Sequence, residues 1–299
     1  MTILTSNPRI PFELSSERTR LAPPQGKGII VHIAVNLETW PFDQAMPRAI
    51  LQAPHGQQPK PDIANFSWVE YGLRCGLPRL VRELSERRLP ASNIMNARFP
   101  EVYPSAAQAA TGAGWTIIGH SVVQRSLALE QNEAGTIAEA LSILEKTLGR
   151  RPRGWLGPGF GETLDTPDHL KAAGMEFVLE WMVDDLPAWM HTKHGPMIAM
   201  PYGLDLNDVM IFTLEKHTSE EYVRRFTDTL AVLERETQDN PRVLTLPLHP
   251  HIIGVPYRFG AFCRVLDILQ ARRDTIFMTA DQIADWFTAE CKPQFEARQ

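Results

Sequence analysis

Very little in this chain points to covalent cross-linking. Only three cysteines (Cys75, Cys263, Cys291) occur in 299 residues, an odd number with no metal-like spacing. That argues against a disulfide framework and a thiolate metal site, and it predicts reduced thiols in a cytoplasmic protein. Charge of one sign is also scarce: the formal net charge is -5 and no basic block interrupts the chain. A nucleic-acid partner would need a cationic stripe to meet phosphates, so none is expected. Long apolar runs are missing, because each apolar stretch is strand-sized and broken by Pro, Gly or a charge. No membrane span is expected. The N-terminus has no basic segment leading into an apolar core, so no secretory signal is expected either. There is no Gly/Ser linker, low-complexity run or repeat beyond the alternation described next. G-x-S-x-G and H-E-x-x-H do not occur, and no lysine follows GPGFG (157–161) at phosphate-loop spacing. Those absences disfavour a serine elbow, a zincin site and a P-loop.

What is present is alternation. Strand-like runs at 28–37, 92–96, 115–119, 175–182, 197–202, 243–248 and 275–278 are interleaved with helical patterns. The clearest helices are 134–148, with Ile137, Leu141, Leu144 and Leu148 on one face, then 219–238 and 259–271. Such a chain folds as parallel strands joined by right-handed crossovers. One α/β domain is expected, and the number of strands favours a barrel, closed or incomplete, over an open sheet. Residues 1–27 read as an arm that packs on a neighbour or a second subunit, 28–290 as the barrel, and 291–299 as a tail. A homo-oligomer is expected.

In a parallel barrel, chemistry gathers where strands end. The stretch RVLTLPLHPHIIGVPYR (242–258) is the strongest signal, with His249 and His251 at the end of a buried strand. If all strands run parallel, the same face carries Glu38, Asn96, His120, Trp155, Asp184, Asp185, Tyr202 and Asp208. Carboxylates with imidazoles suit acid–base hydrolysis. Each has a structural alternative: Asp184 and Asp185 as caps, Trp155 and Tyr202 as packing, Asn96 as a turn residue. Arg258 could pair with an anionic substrate group or tie down its loop. The other histidines read as structural or surface, His55 least securely. His55 lies in the proline-rich segment 53–66, which could roof a site.

These residues carry a resemblance. VNLE (35–38), SWVEYGLRCG (67–76), GWTIIGHS (114–121), RPRGWLGP (151–158), DDLP (184–187), MPYGLDLND (200–208) and LHPHIIGVPYR (248–258) occur in the order of the polysaccharide deacetylase (NodB-homology) superfamily. Within it, the chain looks most like the branch of cofactor-independent allantoinases. The resemblance covers the chain from the first strand to the last helix. It implies a (β/α)7-like barrel and removal of an acyl group from an amide by an activated water. Metal-dependent members read T-F-D-D at the first motif, where this chain has NLET (36–39). Glu38 takes the place of the base and Thr39 that of a metal-binding aspartate. His120 matches the first of two histidines, and Gln124 stands at the second. With two ligands replaced, a site working without metal is expected, although zinc held by Glu38, His120 and a later carboxylate or His249 is the rival. His249 matches the histidine that assists the leaving group.

The expected chemistry is hydrolysis of a non-peptide C–N bond in a small amide, imide or ureide. Glu38 would be the base, His249 the acid, and His120 would hold the carbonyl. Asn96, Trp155, Asp184, Asp185, Tyr202, Asp208, His251 and Arg258 would shape the site or bind substrate. N-deacetylation of an amino sugar with a metal, and a degenerate ligand-binding relative, are the alternatives.

Overall fold

The computed structural model describes residues 6–46, 49, 51–52 and 56–293. The first five residues of the arm, residues 53–55 with His55, and 294–299 of the tail lie outside the described residues.

Element order follows the alternation. The first strand β1 (Ile29–Leu37) is buried along its whole length. A helix pair follows, α1 (Ile63–Tyr71) and α2 (Leu77–Glu86), joined by a π-turn over Gly72–Gly76. Then come β2 (Ser92–Met95), α3 (Phe99–Val102), α4 (Pro104–Gly112), β3 (Thr116–Gly119) and α5 (Glu133–Leu148). Asn132 caps α5 by accepting from Gly135 N–H, and Gly149 ends it in the left-handed conformation at φ 69°. Next are β4 (Gly154–Trp155), α6 (Thr166–Ala172), β5 (Phe177–Val178), β6 (Ala188–Met190) and β7 (Met197–Ala199). The last part holds α7 (Ser219–Glu236), β8 (Arg242–Leu248), α8 (Pro256–Ala271), β9 (Thr275–Phe277) and α9 (Ala280–Glu290). Thr218, not Ser219, caps α7, and Thr279 with Gln282 forms a capping box on α9.

The sheet runs β6-β7-β5-β4-β3-β2-β1-β8, with β9 on the lower half of the edge of β1 that β2 pairs higher up. It curls into an incomplete barrel. Across the gap, Val243 N–H donates to Asp185 O (2.8 Å) and Thr245 Oγ1 to Pro201 O (2.8 Å). The expectation of uniformly parallel strands is corrected at one place: β6 is antiparallel to β7.

Side chains alternate across this sheet, as the pleat requires. Ile29, Val31, Ile33, Val35 and Leu37 pack outward in one cluster with helix residues such as Leu77, Leu80 and Phe262. Ile30 and Ala34 face inward, clustered with Ile94, Ile118, Leu156, Met200 and Tyr202. The inward row of β1 therefore continues through Asn36 to Glu38 at the strand's C-terminal end. The described part of the arm is bound to its own barrel. Arg9 pairs with Asp168 at 2.8 Å, Arg18 with Asp184 at 2.9 Å, and Leu21 N–H donates to Asn240 Oδ1 at 2.8 Å.

Candidate active site

Glu38 is nearly fully buried at the end of β1, where a bare carboxylate would be costly. Its charge is met by donors on two sides. Trp40 Nε1–H donates to Oε2 at 2.8 Å and Gln124 Nε2–H to Oε1 at 3.0 Å. The His249 Nε2 atom stands 3.6 Å from Oε1. His249 is fixed by Asp208, whose Oδ1 is 2.7 Å from the ring Nδ1 and whose Oδ2 accepts the His249 backbone N–H at 2.7 Å. Since an ionised carboxylate only accepts, Nδ1 carries the proton and Nε2 is the atom turned to Glu38.

Asn96 ties the first and third strand ends together. Its Oδ1 accepts Thr39 N–H at 2.7 Å, and its Nδ2 donates to the backbone oxygen of His120. Gln124 N–H donates to Thr39 O at 2.9 Å, which closes the bridge from the other side. Ser121 follows His120 with φ 59°, an unusual conformation for a residue with a Cβ, of the kind that clusters at functional sites. His120 is buried. Its Nδ1 faces the Leu156 carbonyl, while its Nε2 has no hydrogen-bond partner. Burial lowers its pKa, against the opposing pull of the Glu38 charge and the Leu156 carbonyl. Asn36, one inward position below Glu38, donates to Tyr202 Oη (3.0 Å) and Leu248 O (3.1 Å). Burial pushes the Tyr202 hydroxyl far up, so it stays protonated.

His251 forms one wall. Its ring meets Trp68, Trp40 and His249 edge-on, at centroid distances of 5.2, 6.2 and 5.9 Å. The loop carrying it lies directly on the π-turn between α1 and α2. A Cβ on Gly72 would come within 2.3 Å of His251 N, and one on Gly76 within 2.1 Å of Pro250 O. Only glycine permits that approach.

Glu38, Asn96, His120, Tyr202, Asp208, His249 and His251 are thus brought to one end of the barrel. Four residues of the expected site are directed or placed elsewhere. Trp155 has the outward parity of its strand and packs between sheet and helices beside Val178, while its neighbour Leu156 points in. Asp184 is held by Arg18 of the arm. Asp185 pairs through its carbonyl with Val243, near the start of β8. Six residues of extended chain separate Val243 from His249, roughly 20 Å. Arg258 stacks over Phe212 (4.6 Å) and Tyr257 (5.0 Å) and donates to Ile252 O, so it ties down its loop. Three residues around the carboxylate were not assigned roles from the sequence: Asn36, Trp40 and, as a donor, Gln124. For Asn36 a signal existed, since His32, Asn36 and Glu38 share one parity in an otherwise apolar strand.

No family model matches the chain. A Schizosaccharomyces pombe protein named for the polysaccharide deacetylases is 23% identical over 258 residues, 79% of this chain and 80% of that protein. The crystal structure of a probable polysaccharide deacetylase from Pseudomonas aeruginosa PAO1 superposes with a TM-score of 0.82 at 25% identity, covering 93% of this chain and 97% of the other. Sequence and fold together support assignment to the polysaccharide deacetylase (NodB-homology) superfamily. PuuE allantoinase shares the fold, with a TM-score of 0.83 at 24% identity over 95% of this chain and 98% of that structure.

Superfamily members that use a metal raise the question of whether these residues suit one. A catalytic zinc takes three nitrogen, sulfur or carboxylate ligands. The corresponding positions here offer one imidazole, a threonine hydroxyl and a carboxamide whose N–H group is already turned to Glu38. Among the described residues, no group of three or more His, Cys, Asp or Glu side chains is arranged to hold a metal ion. The donor set does not fit, and no step below passes through a metal. No helix among the described residues is long and apolar enough to cross a membrane.

Proposed function

We propose that this protein hydrolyses a non-peptide C–N bond in a small amide, imide or ureide. The observation that carries the reading is the buried pair of Glu38 and His249, 3.6 Å apart, with His249 oriented through its far nitrogen by Asp208. A carboxylate has about four lone-pair positions. Trp40 and Gln124 use two, which leaves Glu38 able to take a proton from water. The water oxygen then attacks the carbonyl carbon. Thr39, whose hydroxyl is buried without a hydrogen-bond partner, is the neighbouring donor for the developing oxyanion. The proton taken by Glu38 passes to His249 Nε2, 3.6 Å away, and from there to the departing nitrogen as its bond to the carbonyl carbon breaks, while Asp208 stabilises the imidazolium formed in between.

The names of the S. pombe and P. aeruginosa relatives favour an acyl amide, and that of the PuuE neighbour a ureide; both are C–N hydrolyses. Titration of the acid released from a panel of such compounds tests the reading. Glu38→Gln should abolish turnover with the fold intact, and exhaustive chelation should leave the wild-type rate unchanged. Activity that survives Glu38→Gln would sink the mechanism.

A further inference from the structure

The peptide group that carries His249 is held at both ends. Its N–H donates to Asp208 Oδ2 at 2.7 Å, and its carbonyl, that of Leu248, accepts from Asn36 Nδ2 at 3.1 Å. A carbonyl only accepts, so the Asn36 amide stands with its nitrogen toward β8. The other hydrogen of that nitrogen goes to Tyr202 Oη at 3.0 Å. Asn36 and Tyr202 are both buried, and a core amide with both hydrogens placed has little freedom to turn.

The sheet register shows what this side chain adds. β1 pairs β8 from Ile29↔Arg242 to Val35↔Leu248, and its last two residues pair with β2, as Asn36↔Ile94 and Leu37↔Met95. Glu38 and His249 therefore both lie past the final β1–β8 pair, where a ladder frays most easily. Asn36 sits at that point. Along the chain it precedes Glu38 by two residues, on the same inward row. Across the sheet it is one hydrogen bond from the peptide of His249. Asp208 fixes the far side of that peptide and the ring. Asn36 fixes the near side from the strand that carries the base.

We propose that Asn36 is a positioning residue: it fixes the Leu248–His249 peptide from β1 and so keeps His249 Nε2 in reach of Glu38 Oε1, 3.6 Å away. The proposal rests on the C–N hydrolysis above and adds to it the residue that aligns acid with base. With the side-chain bond gone, only the last rung of the ladder and Asp208 hold the peptide. Nε2 is then free to shift, and a shift of about 1 Å can cost on the order of 100-fold in rate.

The test uses the full chain with nitrogen-labelled histidine. The backbone amides of His249 and His32 are assigned from their loss in His249→Gln and His32→Gln, and their hydrogen exchange is followed by NMR. His32 lies within β1 and reports on the strand itself. Asn36→Val supplies a strand former without a donor. It should speed exchange at His249 about fivefold or more relative to His32. On a cleaved member of the amide and ureide panel it should lower kcat about tenfold or more with KM within about threefold. In a His249→Ala background it should cost less than about twofold further. Tyr202→Phe keeps the bond to Leu248, so it should lose less on both readouts. Unchanged exchange at His249, a rise matched at His32, or a loss additive with that of His249→Ala overturns the proposal. So does a Tyr202→Phe loss equal to that of Asn36→Val, which would make Asn36 a partner for the phenol alone. Should Asn36→Val not fold, Tyr202→Phe decides: exchange at His249 must still rise against His32, and no rise overturns the proposal. A His249 amide that responds in a chain cleaving nothing in the panel would sink the proposed activity and leave the clamp standing. A chain that turns over the panel with Asn36→Val at the wild-type kcat would do the reverse.

Discussion

Replacing Asp208 with asparagine separates a positioning carboxylate from a merely buried one. Asp208 is fully buried and makes two contacts to one residue, 2.7 Å to the His249 ring and 2.7 Å to its backbone N–H. The backbone N–H can only donate, so an asparagine would keep its Oδ1 there and turn its amide nitrogen to the ring. The ring Nδ1 must then present a lone pair, and the proton moves to Nε2, with no carboxylate left at Nδ1 to support an imidazolium. The lost charge-assisted hydrogen bond is worth about 1.5–3 kcal/mol, or roughly 10–150-fold in kcat. KM should stay within about threefold, because the bond strengthens only as His249 gains positive charge. The assay is steady-state titration of released acid, with the imidazole tautomer read by nitrogen NMR. The decisive comparison is Asp208→Asn made in a His249→Ala background. If Asp208 acts through His249, the second substitution costs almost nothing further there. Additive losses, or a single variant within about twofold of wild type, would refute the reasoning.

Gly76→Ala would drive a Cβ into Pro250 O, costing about 1–3 kcal/mol of stability and shifting the histidine loop, so both melting temperature and turnover should fall. Gly112→Ala meets nothing within 4 Å at the end of a helix and should instead stabilise by about 0.5–1 kcal/mol. Arg9→Met would leave the buried Asp168 with only the exposed Lys193 as a cationic partner. The cost should approach the lower end of about 3–5 kcal/mol, and limited proteolysis should release the arm early. Burial pulls the His32 pKa down to about 3. Between that value and about 6.5 the unfolded chain binds the extra proton, so stability is lost as pH falls through this window, by up to about 1.4 kcal/mol per pH unit. His32→Gln should flatten that acid slope in denaturant titrations. Glu162 has the opposite sign: burial, aided by the Glu180 charge, pushes it up to about 9. Its contribution is present below about 4.5 and is lost as pH rises toward the folded value, so Glu162→Gln should flatten the decline across the whole of that range.

The alternating architecture was legible because strand and helix periods are local properties of the chain. The end of β1 and the end of β8 could be assigned to one barrel mouth from topology alone, which is why Glu38 and His249 could be paired on paper. Depth and facing were harder. In a sheet covered on both sides, inward and outward positions are both apolar, so parity leaves almost no hydropathy signal, and Trp155 reads like a mouth residue although it faces the helices. Asp184 and Asp185 were misplaced for another reason. β5 has only two paired residues, and the chain then leaves the parallel pattern to form the antiparallel β6. A rule about parallel strand ends has no hold on a segment that turns back. The clamp from Asp208 to His249 spans 41 residues, and nothing in local sequence specifies it.

The physical role of Gln124 follows from charge. At this strand end the metal-dependent pattern of the superfamily would set a dication beside the carboxylates. Here one of the two carboxylates is the neutral Thr39, and Glu38 is the carboxylate that remains. An isolated buried carboxylate would take up a proton and cease to be a base. Two fixed neutral donors, the Trp40 indole and the Gln124 amide, supply partial positive charge at opposite oxygens. Histidine at position 124 could provide a donor as well, but it would also offer a second titrating group and the ligand the metal-dependent pattern requires. A carboxamide does neither. It donates to the carboxylate with one end and keeps an acceptor at the other. Thr39 and Gln124 therefore stand as coupled replacements: the first removes a negative charge, and the second replaces a metal ligand by a hydrogen-bond donor that the remaining charge requires.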